Sequence, residues 1–216
     1  MRIIAGIYRS RRLEAPPGSS TRPTSDRLRE TLFNVLAPRL HGAVFLDLYA
    51  GSGAVGLEAL SQGAARVTFV ERAPAALRAL RKNVEQLKAG PGCRVRAETV
   101  ANFLRSQAKA GAKAERHEVV FLDPPYSAEP EYAATLDRLG LAQGVLAEGA
   151  MVIAEHCRKQ RLEERYGRLQ RTRLLEQGDA ALSFFAAGGV AGGAASDAAY
   201  GETGPAPGPS HLSRIE

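Results

Sequence analysis

Buried strands that alternate with helices constrain the fold of this chain more than any other feature of its sequence. Five strand-like runs are predicted, at residues 44–48, 66–71, 94–97, 118–122 and 150–154. Apolar residues at helical spacing fill the intervals, at residues 54–61, 74–88, 100–108 and 129–139. Strands that alternate with helices form a mostly parallel, doubly wound α/β sheet. Two later runs, 169–175 and 181–186, predict an antiparallel strand pair that closes it.

The first 40 residues precede this pattern and predict a hairpin followed by a helix. Residues 2–15 alternate weakly, and Pro16-Pro17-Gly18 ends the run. Asp26 and the two residues before it can each cap a helix, which we expect to stop at Pro38. The sequence thus predicts a basic hairpin-and-helix extension over residues 1–40 and a main domain over residues 41–187.

Residues 188–216 have the composition of a disordered tail. Of these 29 residues, 19 are Gly, Ala, Ser or Pro, and little apolar surface is available for burial.

Composition limits the class of protein. Hydrophobic residues make up 44% of the chain and charged residues 24%, and no apolar run approaches the ~20 residues of a membrane span. The N-terminus lacks the pattern of a signal peptide. Cys93 and Cys157 are isolated, and the four histidines are scattered, which predicts neither a disulfide framework nor a metal site. We expect a cytoplasmic, metal-free monomer.

A glycine-rich turn follows the first predicted strand and indicates a nucleotide-type ligand. Asp47 lies near the end of that strand, and Gly51, Gly53 and Gly56 then lead into a helix. Glu71 ends the second strand, where a carboxylate can accept both hydroxyls of a ribose. The predicted cofactor-binding residues are Asp47, Tyr49, Ala50, Gly51, Ser52, Gly53, Glu71, Arg72 and Val100.

The sequence Asp123-Pro124-Pro125-Tyr126 directly follows the fourth strand and separates this chain from dinucleotide dehydrogenases. Two prolines fix φ and offer no N–H, so the loop presents acceptor oxygens. Asp123 and the Pro124 carbonyl can take the hydrogens of an amine and aim its lone pair at a sulfonium methyl group. Tyr126 can stack on a base. The four residues are predicted to be catalytic.

Positive charge is concentrated at the N-terminus and indicates a polyanionic partner. Residues 1–40 hold eight arginines, no lysine and three acids, against a formal charge of +6 for the whole chain. Guanidinium groups suit phosphates and base edges. The predicted RNA-binding residues are Arg9, Arg11, Arg12, Arg22, Arg27 and Arg29. A solvated basic face would show the same charge pattern.

These motifs resemble a known family. The Asp-Pro-Pro-Tyr loop, the turn from Asp47 to Gly56 and Glu71 are similar to the amino-directed methyltransferases. Two N-terminal segments make the resemblance more specific. Residues 2–6 and 22–34 are similar to the bacterial 16S ribosomal RNA guanine-N2 methyltransferase family (RsmD-like). This resemblance implies a Rossmann-like class I methyltransferase fold, S-adenosylmethionine as cofactor and a substrate in 16S ribosomal RNA of a small-subunit particle.

One position departs from the methyltransferase pattern. Many relatives carry an Asp after the third strand for the adenine amino group, whereas this chain has Glu98-Thr99-Val100. We therefore expect the backbone of Val100 to contact adenine.

Asp123 favours guanine over adenine, because guanine offers two adjacent donors, N1–H and N2–H, to a carboxylate. A DNA amino methylase remains an alternative, although residues 1–40 leave little room for a sequence-reading domain. A nicotinamide-dependent oxidoreductase and a non-catalytic RNA-binding assembly factor are the alternatives from other classes.

Overall fold

A computed structural model of the protein describes residues 1–16, 26–125, 129–141 and 144–188. Tyr126, Arg22 and the predicted tail beyond Gly188 lie outside these residues. The helices of the described part are α1 (Asp26–Leu40), α2 (Ala54–Ser61), α3 (Pro74–Gln86), α4 (Val100–Ala110) and α5 (Glu129–Leu141). Its strands are β1 (Val44–Leu48), β2 (Arg66–Glu71), β3 (Cys93–Ala97), β4 (His117–Leu122), β5 (Leu146–Cys157), β6 (Arg165–Tyr166), β7 (Leu169–Gln177) and β8 (Ala180–Ala187).

All eight strands form one sheet, in the order β3-β2-β1-β4-β5-β8-β7-β6. The first five are parallel neighbours, and β8, β7 and β6 add to β5 in antiparallel pairs. The register places Asp47 of β1 beside Phe121 of β4, and Phe121 beside Ile153 of β5. The carboxyl ends of β1, β4 and β5 therefore meet at one edge of the sheet.

Helices cover both faces of the sheet. Phe45, Phe121 and Ile153 pack on one face with apolar residues of α1, α2 and α3. The side chains next along the strands, such as Leu46 and Leu122, point to the opposite face and pack there with α4 and α5. Side chains alternate between the faces along each strand because the side-chain period of a strand is two. The predicted doubly wound sheet with an antiparallel closing pair is confirmed.

The N-terminal segment forms a narrow loop closed by a single antiparallel bridge between Arg2 and Arg12. Ile3 and Leu13 are buried in the same core as α1 and α2. Gly6 has a φ of 80°, and a Cβ at this position would run into the carbonyl oxygen of Ser61 in α2. The segment therefore lies directly against the α/β core.

Several boundaries differ from the sequence prediction, and one short strand was not predicted. The predicted stop at Pro38 is wrong, because α1 continues to Leu40, which is buried in the core. Strand β5 is 12 residues long and includes a register shift opposite His117 and Val119. The two-residue strand β6 was missed, since it is too short to show a period.

No helix within the described residues is long and apolar enough to cross a membrane.

Candidate active site

The glycine-rich turn connects β1 to α2 at the carboxyl edge of the sheet. The Asp47 side chain is buried, and its Oδ2 accepts a hydrogen bond from the Gly56 N–H at 2.9 Å. Gly53 has a φ of 80°, and an added Cβ would overlap Cδ1 of Leu80. Gly51 has a φ of 57°, but a Cβ there would meet nothing within 4 Å. The turn is tightly packed behind Gly53 and open in front of Gly51.

Glu71 closes the turn from β2. Its Oε2 accepts from the Gly51 N–H at 2.9 Å, while its Oε1 accepts from the N–H groups of Arg72 and Ala73, both at 2.7 Å. A carboxylate has about four acceptor positions, so these three backbone donors leave about one free. Acceptance of both ribose hydroxyls would require Glu71 to release a backbone partner.

The other residues predicted to bind cofactor lie around the same turn. The Tyr49 hydroxyl donates to Oε2 of Glu131 at 2.8 Å and lies 2.7 Å from Oγ1 of Thr135, while burial raises the pKa of Tyr49. Ala50 donates its N–H to the Val70 carbonyl, and Ser52 accepts from the Asn83 amide at 3.0 Å. These bonds fix the turn to α3, α5 and β2.

Val100 is the first residue of α4. The preceding Thr99 caps this helix, because its Oγ1 accepts from the Asn102 N–H at 3.1 Å. Glu98 pairs with Arg96. Thr99 thus caps α4 at the position where the resemblance to methyltransferases implies an adenine-binding Asp.

Asp123-Pro124-Pro125 directly follows β4. The Pro124 carbonyl accepts from the buried Tyr132 hydroxyl at 3.3 Å, which ties the loop to α5. This long bond leaves the second lone pair of the carbonyl available. Tyr126 lies outside the described residues.

Three acidic side chains lie on one face of the sheet at its carboxyl edge: Asp47, Asp123 and Glu155. Each lies two residues beyond a strand residue packed on the α1 face, namely Phe45, Phe121 and Ile153. Glu155 was not among the predicted site residues, although an acid within the apolar run of β5 was a usable signal. Glu155 is only 3% exposed.

Crowding of these acids favours their protonated forms. Burial, the charge of Glu155 and the charge of Asp47 raise the pKa of Asp123 well above its ordinary value. Burial raises the pKa of Asp47 to about 7, although its bond from Gly56 opposes the shift. The site is therefore suited to a ligand that brings positive charge or N–H donors.

The predicted RNA-binding arginines divide into two groups. Arg9, Arg11, Arg12 and Arg27 are exposed, and Arg11 donates to the Gln86 carbonyl at 3.1 Å. Arg29 is instead fully buried, with its Nε 3.7 Å from Oε2 of Glu58. The prediction that Arg29 contacts RNA is wrong, because its guanidinium group does not reach the surface.

The chain matches the family described as conserved hypothetical protein 95 over residues 1–186. It is 37% identical over 173 residues to YlbH of Bacillus subtilis (strain 168), a candidate rRNA methyltransferase, covering 80% of this chain and 91% of that protein. It is 47% identical over 126 residues to ribosomal RNA small subunit methyltransferase D of Escherichia coli (strain K12), covering 58% and 60%. The solved structure of the candidate methyltransferase yhhF from Escherichia coli superposes with a TM-score of 0.74 at 38% identity, covering 87% and 97%. These similarities confirm the Rossmann-like class I methyltransferase fold.

Proposed function

Because this chain belongs to the conserved hypothetical protein 95 family, we propose that it is a 16S ribosomal RNA methyltransferase that uses S-adenosylmethionine to methylate the N2 amino group of a guanine. The observation that carries the proposal is the position of Asp123. It follows β4 at the carboxyl edge of the sheet, one strand from the glycine-rich turn on β1.

The open side of the glycine-rich turn fits the cofactor. Space in front of Gly51 allows a ligand to approach the backbone, and the N–H groups around Glu71 hold the turn rigid. The positive charge of a sulfonium group near Asp47 and Asp123 would favour the ionised forms of both carboxyl groups, whose pKa values are raised in the free protein. S-adenosylmethionine supplies the methyl group; the residues of the chain bind it and orient the acceptor amine.

Asp123 and the Pro124 carbonyl supply the acceptors for that amine. An ionised Asp123 can accept N1–H and N2–H of guanine together, while Pro124 accepts the remaining N2–H. These bonds direct the N2 lone pair away from the loop and towards the methyl group, which is a positioning effect. Tyr126 is proposed to stack on the extruded base.

The exposed arginines of the N-terminal loop supply a surface for RNA. Arg9, Arg11 and Arg12 lie on a segment that packs against α2, and Arg27 lies in the first turn of α1. Contacts to phosphates position a nucleic acid without reading its sequence. We propose that these residues hold 16S ribosomal RNA within a small-subunit particle, and that the protein acts there as a cytoplasmic monomer without a metal.

Isotope transfer to RNA tests the function directly. Small-subunit particles from cells lacking the protein are incubated with it and with methyl-labelled S-adenosylmethionine, and the nucleosides are then analysed by mass spectrometry. The proposal requires label in N2-methylguanosine of the small-subunit RNA.

The alternatives give different results. A parallel incubation with duplex DNA that puts label in N6-methyldeoxyadenosine would identify a DNA amino methylase, and tight binding of NADH would favour an oxidoreductase. Particle binding without any transfer of label would indicate a non-catalytic assembly factor.

A further inference from the structure

Glu155 is a buried acid of the site, and the proposed methyl transfer assigns it no role. It follows Ala154, whose register partner in β4 is Leu122, so the next residues of the two parallel strands are Glu155 and Asp123. On its other side, Glu155 pairs in register with Leu182 of β8.

The side-chain direction of Glu155 follows from strand alternation. Ile153 packs on the face covered by α1, whereas Val152 and Ala154 pack on the face covered by α5. Glu155 is two residues beyond Ile153 and therefore lies on the α1 face. Asp123 is two residues beyond Phe121, which packs on that same face.

We infer that Glu155 is a positioning residue for the methyl transfer: from the neighbouring strand, its carboxylate makes Asp123 a strong enough base to take the proton that the guanine amine loses. The inference rests on the proposed function and adds a residue and a proton acceptor to it.

The step balances as follows. The N2 lone pair forms a bond to the methyl carbon, and the carbon–sulfur bond breaks with its electron pair leaving on sulfur. The nitrogen then carries one proton too many, and the N–H bond directed at Asp123 breaks as an Asp123 oxygen takes that proton. The proton leaves for solvent when the product departs.

The charges around Asp123 support this assignment. The charged groups that act on its carboxyl are Glu155 from β5 and Asp47 from β1, both acidic, and together with burial they raise the pKa of Asp123. Glu71 of β2 acts in turn on Asp47. Tyr132 of α5 faces the loop through its bond to the Pro124 carbonyl. A base is most effective when its pKa lies near the working pH, whereas an isolated Asp is a weak base.

Titration of Asp123, followed by NMR of its carboxyl carbon, tests whether Glu155 affects the Asp123 carboxyl group and needs no turnover. Asp123 should titrate well above the usual Asp value in the wild-type protein, and Glu155→Gln should lower its pKa by about one unit or more. Glu148→Gln is the matched control, since Glu148 is an exposed acid on the same strand. An ordinary Asp pKa in the wild type, or an identical pKa in Glu155→Gln, would overturn the inference.

The pH profile of single-turnover methylation tests the consequence. Glu155→Gln should move the acid limb of the rate profile to lower pH. It should also lower the plateau rate about tenfold, which is part of the roughly 10²–10⁴-fold that general acid–base catalysis typically contributes. Glu155→Leu should move the limb in the same way if the Gln variant folds poorly.

A lower plateau with an unmoved acid limb means that Glu155 only packs, and it refutes the inference while the proposed function stands. A wild-type protein that transfers no methyl group to guanine refutes both.

Discussion

Arg29 and Glu58 form an ion pair between two side chains that are both fully buried, with Arg29 Nε 3.7 Å from Glu58 Oε2. Glu58 also accepts the N–H groups of Ile4 and Ala5 at 2.8 and 2.9 Å, and Arg29 donates to the Arg2 carbonyl. The pair therefore fixes the N-terminal loop between α1 and α2.

Glu58→Gln should strongly destabilise the fold. The substitution removes the buried carboxylate of the pair and leaves Asp26, whose Oδ1 lies 2.9 Å from Arg29 Nη2, to balance the Arg29 charge. Breaking a buried pair from one side typically costs about 3–5 kcal/mol, and the bond to Asp26 places the expected cost at the lower end of that range. Urea unfolding measures the free energy of unfolding, and hydrogen exchange of residues 3–6 should rise at the same time. Glu98→Gln is the control, because the Arg96–Glu98 pair is more exposed and should contribute under about 1 kcal/mol. Equal stability of the two variants would contradict the structural role given to Arg29.

Gly53→Ala should abolish cofactor binding. The new Cβ would overlap Leu80, and the left-handed backbone at a φ of 80° would be strained as well. Isothermal titration with S-adenosylmethionine measures the effect. Gly42→Ala is the control, since Gly42 has a φ of 75° but nothing within 4 Å of a Cβ. Unchanged affinity in a folded Gly53→Ala protein would remove the turn from the cofactor site.

Asp123→Ala should lose methyl transfer by at least about 10²-fold while cofactor affinity stays near that of the wild type. The variant removes the acceptor of the amine, and it leaves the bonds of Asp47 and Glu71 to the glycine-rich turn in place. Single-turnover kinetics and cofactor titration separate the two effects. Near-normal methylation by this variant would mean that the amine is held elsewhere.

Stability should fall as the pH rises from about 4 to about 7, in part because of Asp47. Its pKa is raised from 3.8 to about 7 in the folded protein, so the folded state holds a proton that the unfolded chain releases. A difference of this size corresponds to about 4 kcal/mol for a buried group. Asp47→Asn keeps an acceptor for Gly56 and should flatten the dependence in urea melts between pH 4 and 8. The exposed Asp137→Asn should leave it unchanged.

Replacing Arg9, Arg11 and Arg12 by Ala should weaken RNA binding and leave cofactor binding intact. Each neutralised phosphate contributes about 0.9 to the log–log salt slope on duplex RNA or DNA, and less on single strands. The triple variant should show a flatter slope, poor methylation at moderate salt and partial recovery at low salt. The control replaces Arg105, Lys109 and Lys113, three exposed cations on the α4 side. Wild-type activity of the N-terminal variant at every salt concentration would make the loop a solvated face.

The local sequence pattern was sufficient to predict those strands and helices whose residues follow a clear period between turns. The bounds of β1, α2 and β2 were predicted to the residue, because buried strands and short helices there are separated by clear turns. The Asp-Pro-Pro loop and the glycine-rich turn were also found from sequence, since their chemistry depends on consecutive residues.

Contacts between segments that are distant in the sequence could not be predicted from the local pattern. Arg29 carries the same charge as the exposed arginines near it, and only the packing of Glu58 against the N-terminal loop makes it a buried partner. Helix α1 passes Pro38 because burial of Leu40 in the core outweighs the loss of one backbone bond.

The class of fold, the two loops and the acid proposed to hold the amine could all be predicted from the sequence, because strand periodicity and consecutive turn residues are local properties. Which charges lie close together depends instead on how the strands pair in the folded protein. Asp123 and Glu155 are 32 residues apart in the chain, and parallel pairing of β4 with β5 brings them to one edge of the sheet. The electrostatics of the site depend on that pairing, since the field of a charge depends on distance in space rather than along the chain.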